Sequence, residues 1–208
     1  MQPEYNNGHL SGNLNVESNN SHEHAASWTP RLGMEFSTTD EAWNFWVSYA
    51  GKTGFDARKH YSNKNKDGVV TSTRFLCGKE GHRSRDKRES QYKSSRAETR
   101  TGCNARMGII LNRETNKYQV HDFVAEHNHI FYRPDMIHLI PSQRKICPLD
   151  AMDIDAADHA GIAPKAAHVF SGEVVGGTSN LGYTLQDRKN YLRSKRQRSL
   201  QYGEAGAR

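Results

Sequence analysis

The chain has 208 residues, a formal net charge of +6 and a sequence pI of about 9.2. Hydrophobic residues make up 35 % and mean hydropathy is −0.89, so one large core spanning the chain is excluded and a single small core with disordered or helical flanks is expected. No apolar run approaches the roughly 18–20 residues of a membrane helix, the start MQPEYNNGHLSGNL carries no secretory signal, and three cysteines do not make a disulfide framework. An intracellular chain with metal binding left open is the resulting expectation.

Charge is uneven along the chain. Residues 1–51 hold one Arg and six acids, residues 52–129 hold 17 basic and nine acidic residues, and residues 130–208 hold 11 and eight. A basic middle segment points to a polyanion partner, although a solvated basic surface gives the same signal.

Residues 1–33 are rich in Asn, Ser, Gly and His without hydrophobic periodicity, and read as a disordered tail. Thr38 and Glu41 are spaced as a capping box. Ala42, Phe45, Trp46, Tyr49 and Ala50 then recur at helical spacing, and Gly51 and Gly54 offer a stop. An aromatic stripe of this kind predicts packing on a sheet. Four strands are predicted next. In the first, residues 54–62, strict alternation puts Phe55, Ala57, Lys59 and Tyr61 on one face and Asp56, Arg58, His60 and Ser62 on the other. The turn NKDG leads to the second strand, 69–77. Residues 78–102 are dense in Lys, Arg and Ser and predict a long mobile basic loop. The third strand, 103–111, turns Ala105, Met107, Ile109 and Leu111 inward, and the fourth covers 117–125. Beyond His129, prolines at 134, 141 and 148 break the chain. One or two short helices are predicted within 150–170, a Gly-rich loop over 176–184, and a basic helix or extended segment from Leu185.

Cys77 ends the second strand, Cys103 begins the third, and His127 and His129 follow the fourth. In an antiparallel sheet these positions share one edge. Two thiolates and two imidazoles form a closed tetrahedral zinc site, structural rather than catalytic because no coordination position stays open. Two buried core thiols beside an incidental His pair fit the same spacing. Cys147, between Ile146 and Pro148, stands outside the pattern as an unligated thiol.

The run from FSTTDEAWNFWVSYAGKTGFDARKH through RFLCGKEGH to TRTGCNARMGIIL and VHDFVAEHNH closely resembles the DNA-binding domain of the plant far-red-impaired-response family, in the WRKY–GCM zinc-finger superfamily. The resemblance covers about residues 36–132, with the family's linker echoed in HLIPSQRKI, AGIAP and GGTSNLGYTLQDRKNYLRSKR. It departs from WRKY proteins in lacking the WRKYGQK heptad and in the 25 residues between its two Cys. The family derives from Mutator-like transposases, and the transposase-like domain of longer members is expected to be missing here.

The resemblance implies an α+β fold: a small antiparallel sheet of four to five strands, stapled by one structural zinc, with an N-terminal amphipathic helix. Residues 1–33 would be a disordered tail, 34–132 the zinc-finger DNA-binding domain, and 133–208 a partly helical basic linker. Cys77, Cys103, His127 and His129 would hold the zinc, and the protein would bind double-stranded DNA sequence-specifically in the nucleus to regulate transcription. By position, the first strand and its turn would enter the major groove, with Arg58, Lys59, His60, Tyr61 and Lys64 as contacts; core packing is the other reading of Tyr61. Lys52, Lys66, Arg74, Lys79, Arg83, Arg85, Lys87 and Arg88 would meet phosphates. Lys189, Arg193, Lys195, Arg196 and Arg198, around RSKRQR, resemble a nuclear import signal.

A second class of function is a protein-interaction module that dimerises with itself or with longer relatives and antagonises them. Catalysis is not expected: Asp150, Asp153, Asp155 and Asp158 crowd one short segment that lacks the strand–helix alternation of a ribonuclease-H-like sheet. Neither a small-molecule substrate nor a membrane is expected as a partner.

Overall fold

Thr38 opens the first helix as predicted, in a computed structural model that describes residues 27–82 and 98–204. Its hydroxyl accepts from the Glu41 amide at 3.0 Å. In return the Glu41 carboxylate accepts from an amide one residue further back than the box expects, that of Ser37 at 2.7 Å. Helix α1 (Thr39–Thr53) ends at Gly54, whose φ of 94° only glycine adopts without strain. A side chain at that position would put its Cβ 2.5 Å from the Tyr132 carbonyl oxygen, and the Tyr132 amide donates to the Gly54 carbonyl at 2.7 Å.

Five strands, β1 (Glu35–Phe36), β2 (Ala57–Lys64), β3 (Val70–Cys77), β4 (Arg106–Asn112) and β5 (Lys117–Val124), form an antiparallel sheet in the order β1-β5-β4-β3-β2. The predicted α+β class is therefore observed. Helix α1 lies on one face of the sheet and buries Trp46 completely against Phe55 and Tyr49, with Trp43 stacked on Phe75. Ala105, Met107 and Ile109 are buried as predicted, while Leu111 is only half-buried. Burying each such large side chain contributes roughly 1.5–3 kcal/mol, which makes this the main source of stability.

Strict alternation fails in β2. Lys59 pairs with Phe75 but Ser62 pairs with Thr73, so His60 and Tyr61 together oppose Arg74 in a β-bulge. The extra residue reverses the faces beyond it. Ser62 joins Lys59 on the α1 side and bonds the buried Thr73 hydroxyl at 2.8 Å. Tyr61 turns away from the core, 44 % exposed, under the Arg74 guanidinium. The predicted sharing of a face by Lys59 and Tyr61, and the core reading of Tyr61, are thereby corrected. The hairpin tip is organised by Asn65, whose side-chain oxygen accepts from the amides of Asp67 and Val69, while Gly68 takes a φ of 79°.

Residues 1–26 of the expected tail lie outside the described residues. Residues 27–33 are not tail: Trp28 packs on Tyr49 and beneath Lys52, Pro30 is buried, and the Gly33 amide donates to Val120. The basic loop is described only at its ends, where Thr101 and Gly102 amides bond the Lys79 and Gly81 carbonyls.

The segment after residue 132 also packs against the sheet domain. Ile140 is fully buried. Ser142 accepts from the Ala57 amide and donates its own amide to Asp56, both at 2.9 Å, which pairs off the start of the edge strand β2. Gln143 donates to the Val47 carbonyl across Gly51, where a Cβ would collide with it. Three helices follow, in line with the one or two short helices and the basic helix expected there: α2 (Pro148–His159), α3 (Pro164–Val174) and α4 (Leu185–Glu204). Their core is small, with Ile154, Leu181, Tyr183 and Leu192 buried together. None of the described helices is long and apolar enough to cross a membrane.

Candidate metal centre and nucleic-acid interface

The same end of the sheet receives the close of β3, the approach to β4 and the exit of β5. Cys77 is the last residue of β3, and its amide bonds the Ala105 carbonyl just before β4. Both Cys77 and Cys103 are fully buried. His127 and His129 leave β5 and turn back over them. One ligand atom from each of the four residues lies within 4.8 Å of the others. Cys77 Sγ is 3.1 Å from His129 Nε2, Cys103 Sγ is 3.4 Å from His127 Nδ1, and the two ring nitrogens are 3.1 Å apart. The edges of a tetrahedron around zinc are about 3.3–3.8 Å for bonds of about 2.0–2.3 Å, so the four atoms already stand close to a coordination shell.

The surroundings suit a metal. His129 Nδ1 donates to the Ile130 carbonyl at 3.1 Å, leaving the Nε2 lone pair for the cluster. The Lys79 amide donates to Cys77 Sγ at 3.4 Å. Asn128, between the two His, bonds Thr101 twice, at 2.7 and 2.8 Å, and so ties the His segment to the segment carrying Cys103. Phe55 and Phe131 pack against the His127 ring, with ring centroids 4.4 and 5.0 Å away. Burial pushes the Cys77 thiol up to about 12, and burial with the neighbouring His129 holds His127 down at about 4. A neutral imidazole is what a ligand needs; a thiolate at this depth needs a cation beside it. The donor set therefore fits a soft-to-borderline divalent metal, and zinc above others.

The predicted DNA contacts divide into groups. Lys59 lies over the Trp43 ring, 3.3 Å from Asp40, on the α1 side of the sheet. Arg58, on the other face, is paired with Glu80. Arg74 stands over Tyr61 and 3.7 Å from Asp122, which Arg106 also holds at 2.7 Å. The Arg106 hydrogen bond keeps Asp122 below the usual carboxylate range. His60 stacks edge-on against Tyr61. From residue 61 to 69 the end of β2 and the turn are exposed, while β3 starts half-buried at Val70; Lys64 ends the strand and Lys66 lies at the tip. Among the described residues, neither lysine forms an ion pair. Lys79 sits beside the metal cluster rather than on the ribbon. Arg83, Arg85, Lys87 and Arg88 lie outside the described residues.

The import-like residues all fall on α4. Lys195 pairs with Asp155 at 2.8 Å and Arg196 with Asp158 at 2.7 Å, both acids on α2, while Lys189, Arg193 and Arg198 are exposed. Asp150 closes a capping box with Cys147, the thiol expected to be unligated. The sequence reading missed Asn128, Phe55 and Phe131 as supports of the cluster. Only Asn128, between two His, offered a signal.

Residues 44–133 match the FAR1 DNA-binding domain family. The chain is 33 % identical over 176 residues to Protein FAR1-RELATED SEQUENCE 5 of Arabidopsis thaliana, an alignment covering 83 % of this chain and 22 % of that protein. It is 28 % identical over 187 residues to Putative protein FAR1-RELATED SEQUENCE 10 (86 % and 26 %) and 30 % identical over 162 residues to Protein FAR-RED IMPAIRED RESPONSE 1 (76 % and 19 %), both of the same plant. The chain thus spans about a fifth to a quarter of these relatives' length. No solved structure matches it. With most of α1, both Cys segments and the His pair inside the matched region, the chain belongs to the FAR1 family and carries its DNA-binding domain.

Proposed function

We propose that this protein is a zinc-dependent, sequence-specific DNA-binding regulator of transcription that acts in the nucleus, without catalysis of its own. The observation that carries the reading is the preformed S2N2 cluster, at one end of a sheet whose edge hairpin is exposed and basic at the other. Zinc held by Cys77, Cys103, His127 and His129 would supply a cross-link among three chain segments and so fix the sheet end. Fixing that end holds β3 in place, and β3 aligns the β2 ribbon. A two-stranded ribbon fits the major groove. The bulge presents His60 and Tyr61 side by side at one backbone kink, Lys64 and Lys66 reach phosphates from the tip, and Arg58 and Arg74 meet the duplex at the base of the ribbon. Of the clustered acids of α2, Asp150 serves in capping and Asp155 and Asp158 in helix docking, consistent with a non-enzymatic role.

The full chain is to be assayed for zinc per chain and for selection from a random duplex pool. One zinc per chain is expected, together with an enriched sequence, loss of binding on chelation, and loss of both metal and binding in Cys103→Ala. With about five phosphates engaged, log K should fall against log salt with a slope near −4 to −5. A metal-free chain that folds and binds as before would overturn the zinc reading; a zinc-loaded chain that enriches no sequence would overturn the DNA reading.

A further inference from the structure

Helix α4 carries six basic residues and one acid between Leu185 and Leu200. The fold sorts them. Arg188 is buried, and Lys195 and Arg196 are paired with α2. The one acid, Asp187, is turned inward onto Arg144 and Thr184, with Arg144 Nη1 at 2.6 Å. Arg198 is exposed too, away from the face that carries a stripe at positions 186, 189, 190, 193 and 197: Gln186, Lys189, Asn190, Arg193 and Gln197, all exposed. These positions follow the i, i+3, i+4, i+7, i+11 spacing of a single helix face.

The composition of that stripe departs from what a merely solvated helix face needs. Lys189 and Arg193 stand one turn apart and repel, at a cost of about 0.2–0.5 kcal/mol. A Glu at 186, 190 or 197 would relieve this through ion pairs at i+3 or i+4. The chain carries the uncharged amide at all three places, and Gln186 and Asn190 bond each other at 2.9 Å. Gln and Asn pair bidentately with adenine, Arg and Lys with guanine, and an α-helix fits the major groove. Among the described residues, Lys189 and Arg193 form no ion pair.

We propose that the outer face of α4 is a second DNA-reading surface, which lies in a major groove and contacts base edges through Gln186, Asn190 and Arg193 and phosphate through Lys189. The inference rests on the DNA-binding function proposed above and extends it to a helix outside the matched 44–133 domain. It gives this segment a role while folded, in which only part of its basic run is free, rather than as an extended import peptide.

The test uses the full zinc-loaded chain and duplex pools. In Lys189→Ala/Arg193→Ala, the salt slope should fall by about one relative to the unsubstituted chain, for the single phosphate contact of Lys189, with zinc content and thermal unfolding unchanged. In Asn190→Ala, discrimination should drop about 5- to 150-fold at one base pair of the selected site. The ribbon variant Lys64→Ala/Lys66→Ala serves as the reference. If it weakens binding while the α4 variants keep the original slope and selected sequence, the α4 proposal is overturned and the ribbon reading stands. Loss of nuclear accumulation in cells as the sole defect of the α4 variants overturns it equally. If the unsubstituted chain selects no sequence, the underlying DNA reading fails first, and the α4 proposal falls with it.

Discussion

The sheet domain and the three-helix unit are held together by different physics. In the sheet domain, Trp46, Phe55, Phe75, Met107 and Ile109 are all buried in one continuous cluster, and the metal-ligand cluster closes its end. In the helical unit four buried side chains form the core, and the rest is capping and ion pairing: Cys147 with Asp150, Thr184 with Asp187, Asp155 with Lys195, Asp158 with Arg196. Apolar burial is insensitive to salt and pH, whereas ion pairs at partly exposed positions are screened and titrate. The sheet domain rests on packing that ends in the Cys/His cluster, and the element beside it rests on polar contacts.

The largest expected effect separates the two regions outright. Cys103→Ala removes a ligand, and with it a metal contribution on the order of 10 kcal/mol. Strand circular dichroism and zinc content should be lost together. Cys147→Ala, in the helical unit, removes only a helix cap, at about 1 kcal/mol, and should leave zinc content unchanged. Equal effects of the two substitutions would show that the sheet end does not depend on metal.

Core truncations come next. Trp46→Ala should cost about 3–5 kcal/mol, because it empties a site that nothing else fills between α1 and the sheet. Ile154→Ala should cost about 2–5 kcal/mol, but it should melt only the helical unit, read by hydrogen exchange along α2 and α4 with β3 to β5 protected as before. Loss of protection across the sheet in Ile154→Ala would show that residues 140–143 couple the two regions more tightly than their few hydrogen bonds imply.

What the residues announced, and what they withheld, follows the same division. The helix under Trp46, the strands and the gathering of Cys77, Cys103, His127 and His129 were legible, because hydrophobic period and Cys/His spacing are local or nearly local signals. The bulge at His60–Tyr61 was not, since it appears only when β2 is registered against β3 and the chain inserts one residue opposite Arg74. The strap of residues 132–143 was equally hidden. Prolines suggested a broken linker, yet Ser142 and Gln143 spend their polar groups on Asp56, Ala57 and Val47, which are 85 to 96 residues earlier in the chain. The sorting of α4's charges into inward and outward sets likewise depends on where α2 lies.

The smaller effects test whether the helical unit is the polar-stabilised one. Asp158→Asn breaks one partly exposed pair, and its cost should be about 0.2–1 kcal/mol at low salt. At high salt that cost should shrink toward zero, because the pair it removes is screened there in the unsubstituted chain as well. A cost independent of salt would mean that packing, rather than charge, holds α4 to α2.

Acid should take the two regions apart in order. His127 is held at about 4 in the folded chain, below the ordinary histidine value near 6.5. Its contribution is therefore complete above about 6.5 and is lost as pH falls through that window toward 4, where protons also compete with metal for the ligands. Asp187 behaves like a carboxylate. Burial alone would raise it, but the hydroxyl and amide of Thr184 and the guanidinium of Arg144 outweigh burial and hold it below the usual range. Its contribution persists down to the ordinary carboxylate value and is lost only below about 4. Strand signal and bound zinc should thus disappear between about pH 6.5 and 4, while α4 keeps its hydrogen-exchange protection until the pH drops further. Asp187→Asn should shrink that second, more acidic step, the Asp155–Lys195 pair carrying the rest, and leave the first unchanged. If the helices unfold first, or both regions unfold in one transition, then the sheet end is fixed by its apolar core alone and the imidazoles are not what acid attacks.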